Sequence, residues 1–306
     1  GGVVSEPSAP AAQIGVGIPV FNEAARIQAC LENVAAQSFG DFRAAIVDNA
    51  STDATGEIAR AFASRDPRFS YVRQPENRGA IANFSEAFRR SGQPYFLWKA
   101  GDDRWEANYL QALHALLEAH PRMALAAGKT VGFFRGEVIR RSPPPPARPR
   151  SGFAATLALM FGAAPSWVYG LWRREALVRP MRAWDAYGPN PWAADFMLML
   201  PAFMDRAVIG TDATTFQQAL RPRLAAAGER PPPRTEIDLD VILGVRRRFV
   251  DLSWELIEER VPPGPRRALW RALLFAYADR RVYKTRHIIR RRLMRSIGLG
   301  ARQSRT

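Results

Sequence analysis

The chain has 306 residues, of which 47% are hydrophobic and 24% are charged. This is the composition of a folded globular protein, which excludes a largely disordered chain. The single cysteine excludes a disulfide framework and a zinc site built from clustered cysteines. No window approaches the roughly 18 uninterrupted apolar residues of a membrane-spanning helix, and the first residues lack the layout of a signal peptide. We therefore expect a cytoplasmic protein.

The net charge of +15 is concentrated near the C-terminus. Residues 266–295 contain eleven basic residues and one acidic residue, Asp279, while the chain before them is close to neutral. Apolar residues alternate with the arginines, as in amphipathic helices that lie on an anionic membrane; the alternative is a helical face packed on the body of the protein. A membrane contact through residues 266–306 would be peripheral, at the inner face of the cell membrane. We expect no nucleic-acid partner, because no zinc-finger, RNA-recognition or homeodomain pattern occurs.

The first half of the chain alternates between apolar runs and helical patterns, after a small, Pro-containing segment at 1–12 that we expect to be disordered. Strands are predicted at Ile14–Val20, Phe42–Val47, Phe69–Arg73, Tyr95–Trp98 and Met123–Phe134. Helices are predicted at Glu23–Gln37, 54–64, Ala80–Arg90 and Glu106–His120, with Asp53 capping the second helix. Four alternations of strand and helix predict an α/β fold with a mostly parallel sheet flanked by helices.

The second half has a less regular pattern. The segment Arg141–Arg150 contains four consecutive prolines and is predicted to be a loop. Further helices are expected at Phe153–Phe161, Trp192–Met204 and Glu236–Arg260, and extended segments at Trp167–Trp172 and Ala207–Gly210. The last of these helices opens a C-terminal helical, Arg-rich extension.

Two glycine patterns are rejected as nucleotide-binding loops. Gly15-Val16-Gly17 lies within a predicted strand and lacks the third glycine of a dinucleotide fingerprint. Gly128-Lys129-Thr130 resembles the end of a P-loop, but no glycine-rich loop precedes it. The three histidines are isolated in the sequence, so they indicate neither a metal triad nor a Ser–His–Asp arrangement.

Acidic residues follow three of the predicted strands. They occur in the segments 19–23, 47–53 and 100–103, and the carboxyl ends of parallel strands meet at one edge of a sheet, where ligands bind. Two adjacent carboxylates, Asp102 and Asp103, are costly to bring together without a cation or hydrogen-bond donors. Oxygen ligands of this kind suit Mg²⁺ or Mn²⁺ carried on a phosphate.

The order and spacing of these segments resemble family 2 of the glycosyltransferases, enzymes with the GT-A fold that use nucleotide-sugars. The likeness covers residues 14–110 and extends more weakly to about residue 215. Its motifs are Ile18-Pro19-Val20-Phe21-Asn22-Glu23, Gln37-Ser38-Phe39, the run from Ile46 to Asp53, Asn77-Arg78-Gly79, and Asp102-Asp103 with Trp105 and Tyr109-Leu110. The resemblance implies a Rossmann-like GT-A domain over 13–225, with a nucleotide-binding half (13–110) and an acceptor half (111–225), followed by the basic helical extension at 226–306.

The resemblance also implies a nucleotide site. The family's first loop corresponds to Pro19, Val20, Phe21 and Glu23, and the acid after its second strand corresponds to Asp48. A carboxylate there can accept from a pyrimidine N3–H, which favours a UDP- or dTDP-linked donor. Asn49 occupies a position where many members have a second Asp, and Arg78 is expected to reach the nucleotide or its phosphates.

The family's Asp-x-Asp metal motif aligns with Ala100-Gly101-Asp102, so its first Asp is missing here. The resemblance implies that Asp102 binds Mn²⁺ or Mg²⁺, that Asp103 supports it or shares the ion, and that Gly101 lies at the nucleotide. The missing Asp also motivates the alternative of a non-catalytic member that binds a nucleotide-sugar or a partner protein.

An inverting transfer needs a carboxylate that takes the proton of the acceptor hydroxyl. Family members place this base at the start of a late helix, which points to Asp195, with Asp185 as its nearest competitor. Where many members have a late His, the segment 220–223 offers Arg instead.

The acceptor implied by the resemblance is a carbohydrate or glycolipid hydroxyl in bacterial-type cell-surface polysaccharide, glycolipid or glycoconjugate synthesis. Several aromatic residues of the acceptor half are candidates for stacking on sugar rings or for core packing: Trp167, Tyr169, Trp184, Tyr187 and Trp192.

Overall fold

The computed structural model describes residues 12–148, 151–188, 190–220 and 238–296. In these ranges the strands are β1 (Ile14–Val20), β2 (Phe42–Asp48), β3 (Phe69–Arg73), β4 (Tyr95–Trp98), β5 (Arg104–Trp105), β6 (Leu125–Phe134), β7 (Glu137–Ser142), β8 (Leu171–Arg173) and β9 (Val208–Ala219). The helices are α1 (Ile27–Ala35), α2 (Thr55–Ala63), α3 (Gly79–Arg89), α4 (Tyr109–Ala119), α5 (Phe153–Gly162), α6 (Arg174–Ala186), α7 (Ala194–Met204), α8 (Leu239–Ile257), α9 (Pro265–Arg281) and α10 (Thr285–Ser296). Short 3₁₀ helices span Pro165–Tyr169 and Glu258–Arg260.

The strands form one sheet in the order β3-β2-β1-β4-β8-β6-β9-β5, and β7 lies off this path, antiparallel to residues 130–134 of β6. The first four strands are parallel, and in their register Val20 lies beside Asp48, which lies beside Arg73. Strand β8 is antiparallel to both β4 and β6, whereas β6 and β9 are parallel. The parallel half therefore brings the carboxyl ends of its strands to one edge, as the sequence predicts.

Strand β1 is buried along its whole length, which explains its unbroken apolar sequence. A Cβ atom on Gly17 would lie 2.9 Å from the ring of Phe96 and 3.0 Å from the Ala87 side chain. The glycine thus lets α3 approach the sheet closely. This packing accounts for the Gly15-Val16-Gly17 pattern without a nucleotide.

A hydrophobic layer covers each face of the sheet. One layer joins α1 and α4 to the strands through residues such as Leu31 and Leu113. The other layer joins α3 and α5–α9 in a single cluster that includes Trp98, Phe203 and Tyr277. Helices α8 and α9 of the predicted extension therefore share a core with the acceptor half. The predicted domain boundary at 225 and residues 1–11 of the segment predicted to be disordered lie outside the described ranges, so both stay predictions. Ala12, the last residue of that segment, is described and is buried.

Several element predictions need correction. Helix α1 begins at Ile27, because the carbonyl of Glu23 first closes a turn by accepting from Arg26 and Ile27. Residues 167–169 lie in a 3₁₀ helix, not in an extended segment. Helix α6 was not predicted, since it is rich in charged residues and contains Pro180. Strand β9 continues past the predicted Gly210 to Ala219, through a polar segment whose pairing with β6 overrides its low strand propensity.

Candidate active site

The loops after β1 and β2 are held together by hydrogen bonds. Asn22, at a φ of 52°, donates its backbone N–H to the hydroxyl of Ser51 at 2.9 Å. The N–H of Glu23 donates to the hydroxyl of Thr55 at 2.7 Å, and that of Ala24 donates to Asp53 at 3.1 Å. Asp53 also accepts from the N–H of Thr55, the first residue of α2, so it both supports that helix start and ties it to the first loop. These hydrogen bonds hold the two loops in a fixed arrangement at the carboxyl ends of β1 and β2.

Asp48, at the end of β2, is completely buried. Its Oδ1 accepts from the N–H of Ser51 at 2.8 Å, while Oδ2 accepts from the hydroxyl of Tyr71 at 2.9 Å and from Arg73 at 3.0 Å. The Asp48 carboxylate therefore holds the loop after β2 and two side chains of β3 in place. Its contact with the base of a nucleotide stays a prediction. Sequence reasoning missed Tyr71 and Arg73; their spacing of two on β3, which puts both on one face, is the available signal.

Asn49 fastens the turn that precedes α3. Its side-chain amide donates to Asn77 Oδ1 at 2.7 Å, and its Oδ1 accepts from the backbone N–H of Arg78 at 3.0 Å. An Asp at position 49 could not donate the first of these hydrogen bonds. The Arg78 side chain is exposed at this edge of the sheet, where it is available to an anionic ligand.

Asn83 was not predicted as a site residue. It lies buried on α3, and its amide donates to the carbonyls of Val20 at 3.3 Å and Val47 at 3.2 Å. The side chain thus links the last turns of β1 and β2 to the helix. A lone Asn on the apolar face of a predicted helix was the signal in the sequence. Of the first loop, Pro19 and Val20 are buried, whereas Phe21 is exposed.

Asp102 lies half-buried just beyond β4. Among the described residues, no hydrogen-bond donor or cation is within contact of its carboxylate. Gly101 lies under Glu23: a Cβ atom at position 101 would be 3.2 Å from Glu23 Cγ. The Glu23 carboxylate is itself paired with Arg26 at 2.7 Å. The acidic pair and the first loop therefore meet, as predicted, and Asp102 is the carboxylate left open to a ligand.

Asp103 is buried, and its Oδ1 accepts from the backbone N–H of Ala219 at 2.9 Å. Burial raises the pKa of Asp103 to about 7, and the neighbouring charge of Asp102 adds to this effect, while Lys99 opposes it. The two adjacent acids thus differ in environment: one is open and one is held within the fold.

Lys99 is another residue of this edge that was not predicted from the sequence. It is fully buried, donates through Nζ to the carbonyl of Asp103, and lies over the ring of Trp105 at 5.3 Å. Burial lowers the pKa of Lys99, which the negative charges around it counteract. A lysine directly after an apolar strand and before two acids was the signal. It supplies a fixed donor that supports the turn carrying the acidic pair.

The described residues contain no group of three or more His, Cys, Asp or Glu side chains arranged to hold a metal ion. Asp102 and the free oxygen of Asp103 are a two-carboxylate set. Mg²⁺ and similar ions are commonly bound by one or two carboxylates together with the phosphates of a substrate. The donor set therefore fits a cation that arrives with a diphosphate better than a resident structural metal.

Asp195 is the second residue of α7. The residue just before this helix, Ala193, has a left-handed backbone conformation with a φ of 61°. It lines a cavity of about 350 Å³ together with Tyr169, Trp184 and Gln218. Burial raises the pKa of Asp195 to about 7, against the opposing effects of the Phe196 N–H and of Arg281. A carboxyl group with a pKa near neutrality at the wall of a cavity can take up a proton at physiological pH.

Asp185 is not brought to this cavity. It accepts from the hydroxyl of Ser85 and forms an ion pair with Arg89 at 3.1 Å. Its side chain is 43% exposed on the outer side of α6. The predicted Arg221 and Arg223 lie outside the described residues. Of the candidate aromatic residues, Trp167, Trp184 and Tyr187 are buried, while Tyr169 and Trp192 are half-buried.

The C-terminal helices divide their apolar residues between the core and the surface. Trp270, Leu274 and Tyr277 are buried against the acceptor half, whereas Leu269 and Phe275 are half or more exposed. One side of α9 therefore packs on the body of the protein, and the other side is exposed and free to contact a membrane surface. No described helix is long and apolar enough to cross a membrane.

The family model described as Glycosyl transferase family 2 matches residues 15–169, about half of the chain. The chain belongs to glycosyl transferase family 2. The matched segment contains the strand-end loops and the acidic pair but ends before Asp195 and the basic extension.

Among curated relatives, this family 2 chain is 28% identical over 125 residues to glycosyltransferase GlyA of Streptococcus pneumoniae (41% of this chain, 18% of GlyA). It is 30% identical over 115 residues to a PGL/p-HBAD biosynthesis glycosyltransferase of Mycobacterium bovis (37% and 45%). It is 42% identical over 82 residues to an N-acetylglucosaminyltransferase of Rhizobium meliloti (25% and 19%). The chain spans less than half the length of each of these relatives.

Among solved structures, TarS 1-349 of S. aureus matches with a TM-score of 0.59 at 16% identity, covering 94% of this chain and 92% of TarS. Its complex with UDP-GlcNAc matches with a TM-score of 0.58 at 14% identity, covering 94% and 83%. At this identity the likeness is one of fold, and it confirms the predicted GT-A architecture for the family 2 chain.

Proposed function

We propose that the protein is an inverting glycosyltransferase that moves a sugar from a UDP- or dTDP-linked donor to a hydroxyl acceptor. The observation that carries this proposal is the arrangement of β9. Its residue Ala219 binds Asp103 of the acidic pair, and its residue Gln218 lines the cavity of Asp195. A donor bound at the acidic pair and an acceptor bound in the cavity would therefore be neighbours.

The nucleotide part of the donor fits the edge formed by the loops after β1 and β2. Pro19, Val20 and Phe21 lead into this edge, Asp48 organises it, and Asn49 holds the turn that carries Arg78. The exposed guanidinium of Arg78 suits a phosphate oxygen. Since Asp48 is already occupied by donors from the protein, base recognition through it would require Tyr71 or Arg73 to share its oxygens.

The diphosphate fits beside Asp102 and Asp103, which together with the phosphate oxygens would hold Mn²⁺ or Mg²⁺. A divalent cation there would neutralise the charge that develops on the leaving nucleoside diphosphate. Lys99 holds the turn that carries both acids. The absent first Asp of the motif leaves the site with fewer carboxylates, so the phosphates would contribute a larger share of the ligands of a bound cation.

In the transfer step, Asp195 would accept the proton of the acceptor hydroxyl while the oxygen of that hydroxyl attacks the anomeric carbon of the donor sugar. The nucleoside diphosphate would leave from the opposite face of the sugar. Because the pKa of Asp195 is about 7, a substantial fraction of its carboxyl groups is ionised at neutral pH and can accept a proton. The half-buried ring of Tyr169, beside Asp195 in the cavity wall, offers a surface for a sugar ring.

The acceptor class that we propose is a carbohydrate or glycolipid of bacterial-type cell-surface polysaccharide or glycoconjugate synthesis. The protein would act in the cytoplasm, peripherally at the inner face of the membrane, through the exposed arginines and apolar residues of α9 and α10. Arg residues near an anionic surface contribute about 1 kcal/mol each to such binding.

A panel of nucleotides and nucleotide-sugars tested by thermal shift with and without Mn²⁺ examines the donor proposal, because a ligand stabilises the fold that binds it. UDP and UDP-GlcNAc are suitable first probes. Donor hydrolysis with Mn²⁺ then separates an enzyme from the alternative, a non-catalytic binding protein. Binding without hydrolysis or transfer to any hydroxyl would favour that alternative, and no stabilisation by any nucleotide would contradict the proposal.

A further inference from the structure

Helix α9 belongs to the basic extension, beyond the segment that the family model matches. One side of this helix is nevertheless buried in the acceptor half, through Trp270, Leu274, Tyr277 and Ala278. The last two turns of this side reach the start of α7, which carries Asp195. Two of its residues contact that start directly.

The first contact is made by Tyr277. Its buried ring lies 6.4 Å from the ring of Phe196 and 5.5 Å from that of Phe249. Its hydroxyl donates to the backbone carbonyl of Phe196 at 3.2 Å. Because Phe196 directly follows Asp195, this hydrogen bond holds the first turn of α7 one residue beyond the carboxylate.

The second contact is made by Arg281, the last residue of α9. Its guanidinium lies 3.8 Å from the centre of the Phe196 ring, which is close stacking for a cation on an aromatic face. Its Nη2 donates to the carbonyls of Met160 at 2.7 Å and Ala163 at 3.1 Å, at the end of α5. Three contacts, to the start of α7 and to the end of α5, thus define the position of this charge, and it is half-buried.

The guanidinium retains one polar atom without a partner. Nε of Arg281 is buried, and it makes no hydrogen bond within the described residues. A packing role alone would be filled equally well by an apolar side chain, since a buried charge costs free energy unless it is compensated. The two carbonyls of α5 and the aromatic rings compensate part of this cost, and the negative charge of Asp195 adds to them, because its interaction with Arg281 favours the ionised form of both groups.

The groups that face Asp195 come from three elements. They are Tyr187 directly after α6, Tyr169 of the 3₁₀ helix, and Tyr277 and Arg281 of α9. Burial raises the pKa of each of the three tyrosines, so they are neutral at physiological pH. Among these described neighbours, Arg281 is therefore the cation.

We propose that Arg281 is a positioning residue of the acceptor site, which orients the first turn of α7 through Phe196 and keeps a positive charge beside Asp195. The inference rests on the proposed role of Asp195 as the base. It makes the end of α9 a component of the transfer machinery, so that the basic extension serves the active site as well as any surface that its exposed side binds.

The test compares three variants of the full chain. Arg281→Gln removes the charge but keeps a donor for one carbonyl of α5, and Arg281→Lys restores the charge. Arg280→Gln is the matched control, because Arg280 is the adjacent, exposed arginine of the same helix. The titration of the Asp195 carboxyl is followed by ¹³C NMR, with Asp195→Asn identifying its resonance.

We expect the midpoint of the Asp195 titration to move to higher pH in Arg281→Gln, to return towards the wild-type value in Arg281→Lys, and to stay unchanged in Arg280→Gln. The acidic limb of the pH–rate profile should move in the same direction as the midpoint. Turnover should fall about 10-fold to 100-fold with the donor KM unchanged, as for a misplaced catalytic group. An Asp195 titration in Arg281→Gln equal to that of the wild type would overturn the inference.

Two further measurements keep the result decisive. If Arg281→Gln does not fold, Tyr277→Phe tests the other contact between α9 and the start of α7. The amides of the first turn of α7 should then exchange faster with solvent, and unchanged exchange would overturn the inference that the end of α9 orients this turn. If the wild type transfers no sugar from any nucleotide-sugar while the titration shifts as expected, the proposed function fails and the placement of Arg281 beside Asp195 stands.

Discussion

The backbone N–H of Ala219 donates to Oδ1 of Asp103 at 2.9 Å, although the two residues are 116 positions apart in the chain. This hydrogen bond fastens the end of β9 to the turn that follows β4. The preceding residue of β9, Gln218, lines the cavity of Asp195. A single strand thereby joins the acidic pair of the nucleotide-binding half to the cavity of the acceptor half.

Asp102→Ala should abolish nearly all sugar transfer and the metal-dependent part of nucleotide binding. The reason is that Asp102 is the carboxylate of the pair left open to a ligand, so its loss removes charge from the site without disturbing internal contacts. Transfer and nucleotide binding are measured with and without Mn²⁺. The control is Asp212→Ala, an acid on the middle of β9 away from the edge. Wild-type turnover of Asp102→Ala with Mn²⁺ would disprove the metal assignment.

Asp48→Ala should lower both nucleotide affinity and the free energy of unfolding. The carboxylate holds Ser51, Tyr71 and Arg73 from a buried position, and leaving such partners unsatisfied costs about 1.5–3 kcal/mol. Urea denaturation measures the effect. Asp66→Ala is the control, because Asp66 pairs with Arg68 on a more exposed loop and should lose about 1 kcal/mol or less. Equal losses in both variants would contradict the organising role of Asp48.

Asp195→Asn should bind the donor normally and transfer sugar about 10²–10⁴-fold more slowly, since the amide keeps the shape and removes the base. With a pKa near 7, wild-type Asp195 loses its ionised form as the pH falls. Transfer by the wild type should therefore decline below about pH 7. Asp185→Asn is the control and should remain active, because Asp185 is paired with Arg89 away from the cavity. The opposite pattern in the two variants would move the base to Asp185.

The same raised pKa predicts how stability depends on pH. Burial disfavours the ionised Asp195 in the folded state, so its folded pKa of about 7 lies above the ordinary value of 3.8. Its contribution to stability is therefore fully present below about pH 4 and is lost as the pH rises to 7. Asp195→Asn should be more stable than the wild type at pH 8, by about 1–3 kcal/mol, and the difference should shrink towards pH 4. A difference that is constant with pH would be inconsistent with the raised pKa.

Substitutions on the exposed side of α9 should weaken binding to anionic liposomes. Leu269 and Phe275 are 50% and 56% exposed on this basic helix. The double variant Leu269→Ser, Phe275→Ser should sediment less with vesicles that contain phosphatidylglycerol, and salt should weaken the remainder. Val241→Ser, at an exposed valine of α8, is the control. No liposome binding by the intact protein would refute the membrane proposal.

Removal of residues 266–306 is a poor test of membrane binding, because it also removes Trp270, Leu274 and Tyr277 from the core. Large buried side chains each contribute several kcal/mol. We therefore expect the truncated protein to aggregate, and point substitutions on the exposed side of the helix separate the two roles of the extension.

The nucleotide-binding half could be predicted in detail from the sequence. Strand β1 and strand β4 have their predicted limits, and the loops after β1, β2 and β4 meet as the motifs indicate. These elements are short, strongly apolar and linked by local connections, so their patterns survive in the fold. The polar segment of β9 and the Arg-rich α6 could not be recognised, since pairing and packing with distant elements stabilise them.

Many of the residues at this edge of the sheet could be identified from the sequence, but their structural roles could not. Asp48 has the sequence position of a ligand-binding acid, yet its burial and its three internal partners depend on β3 and the following loop. Lys99 and Asn83 could be recognised as site residues only from their burial, because a sequence does not show which polar side chains are buried in the fold.

The sequence by itself determined the family, the order of the strands along the chain, the acidic pair and the basic character of the C-terminus. These features depend on local composition and spacing. Only the tertiary structure decided that β9 joins Asp103 to the cavity of Asp195, and that Arg281 of the extension stacks on Phe196, the residue after that acid. Both contacts join residues more than 80 positions apart in the chain, and hydrophobic packing between non-neighbouring elements, which no local pattern encodes, brings them together.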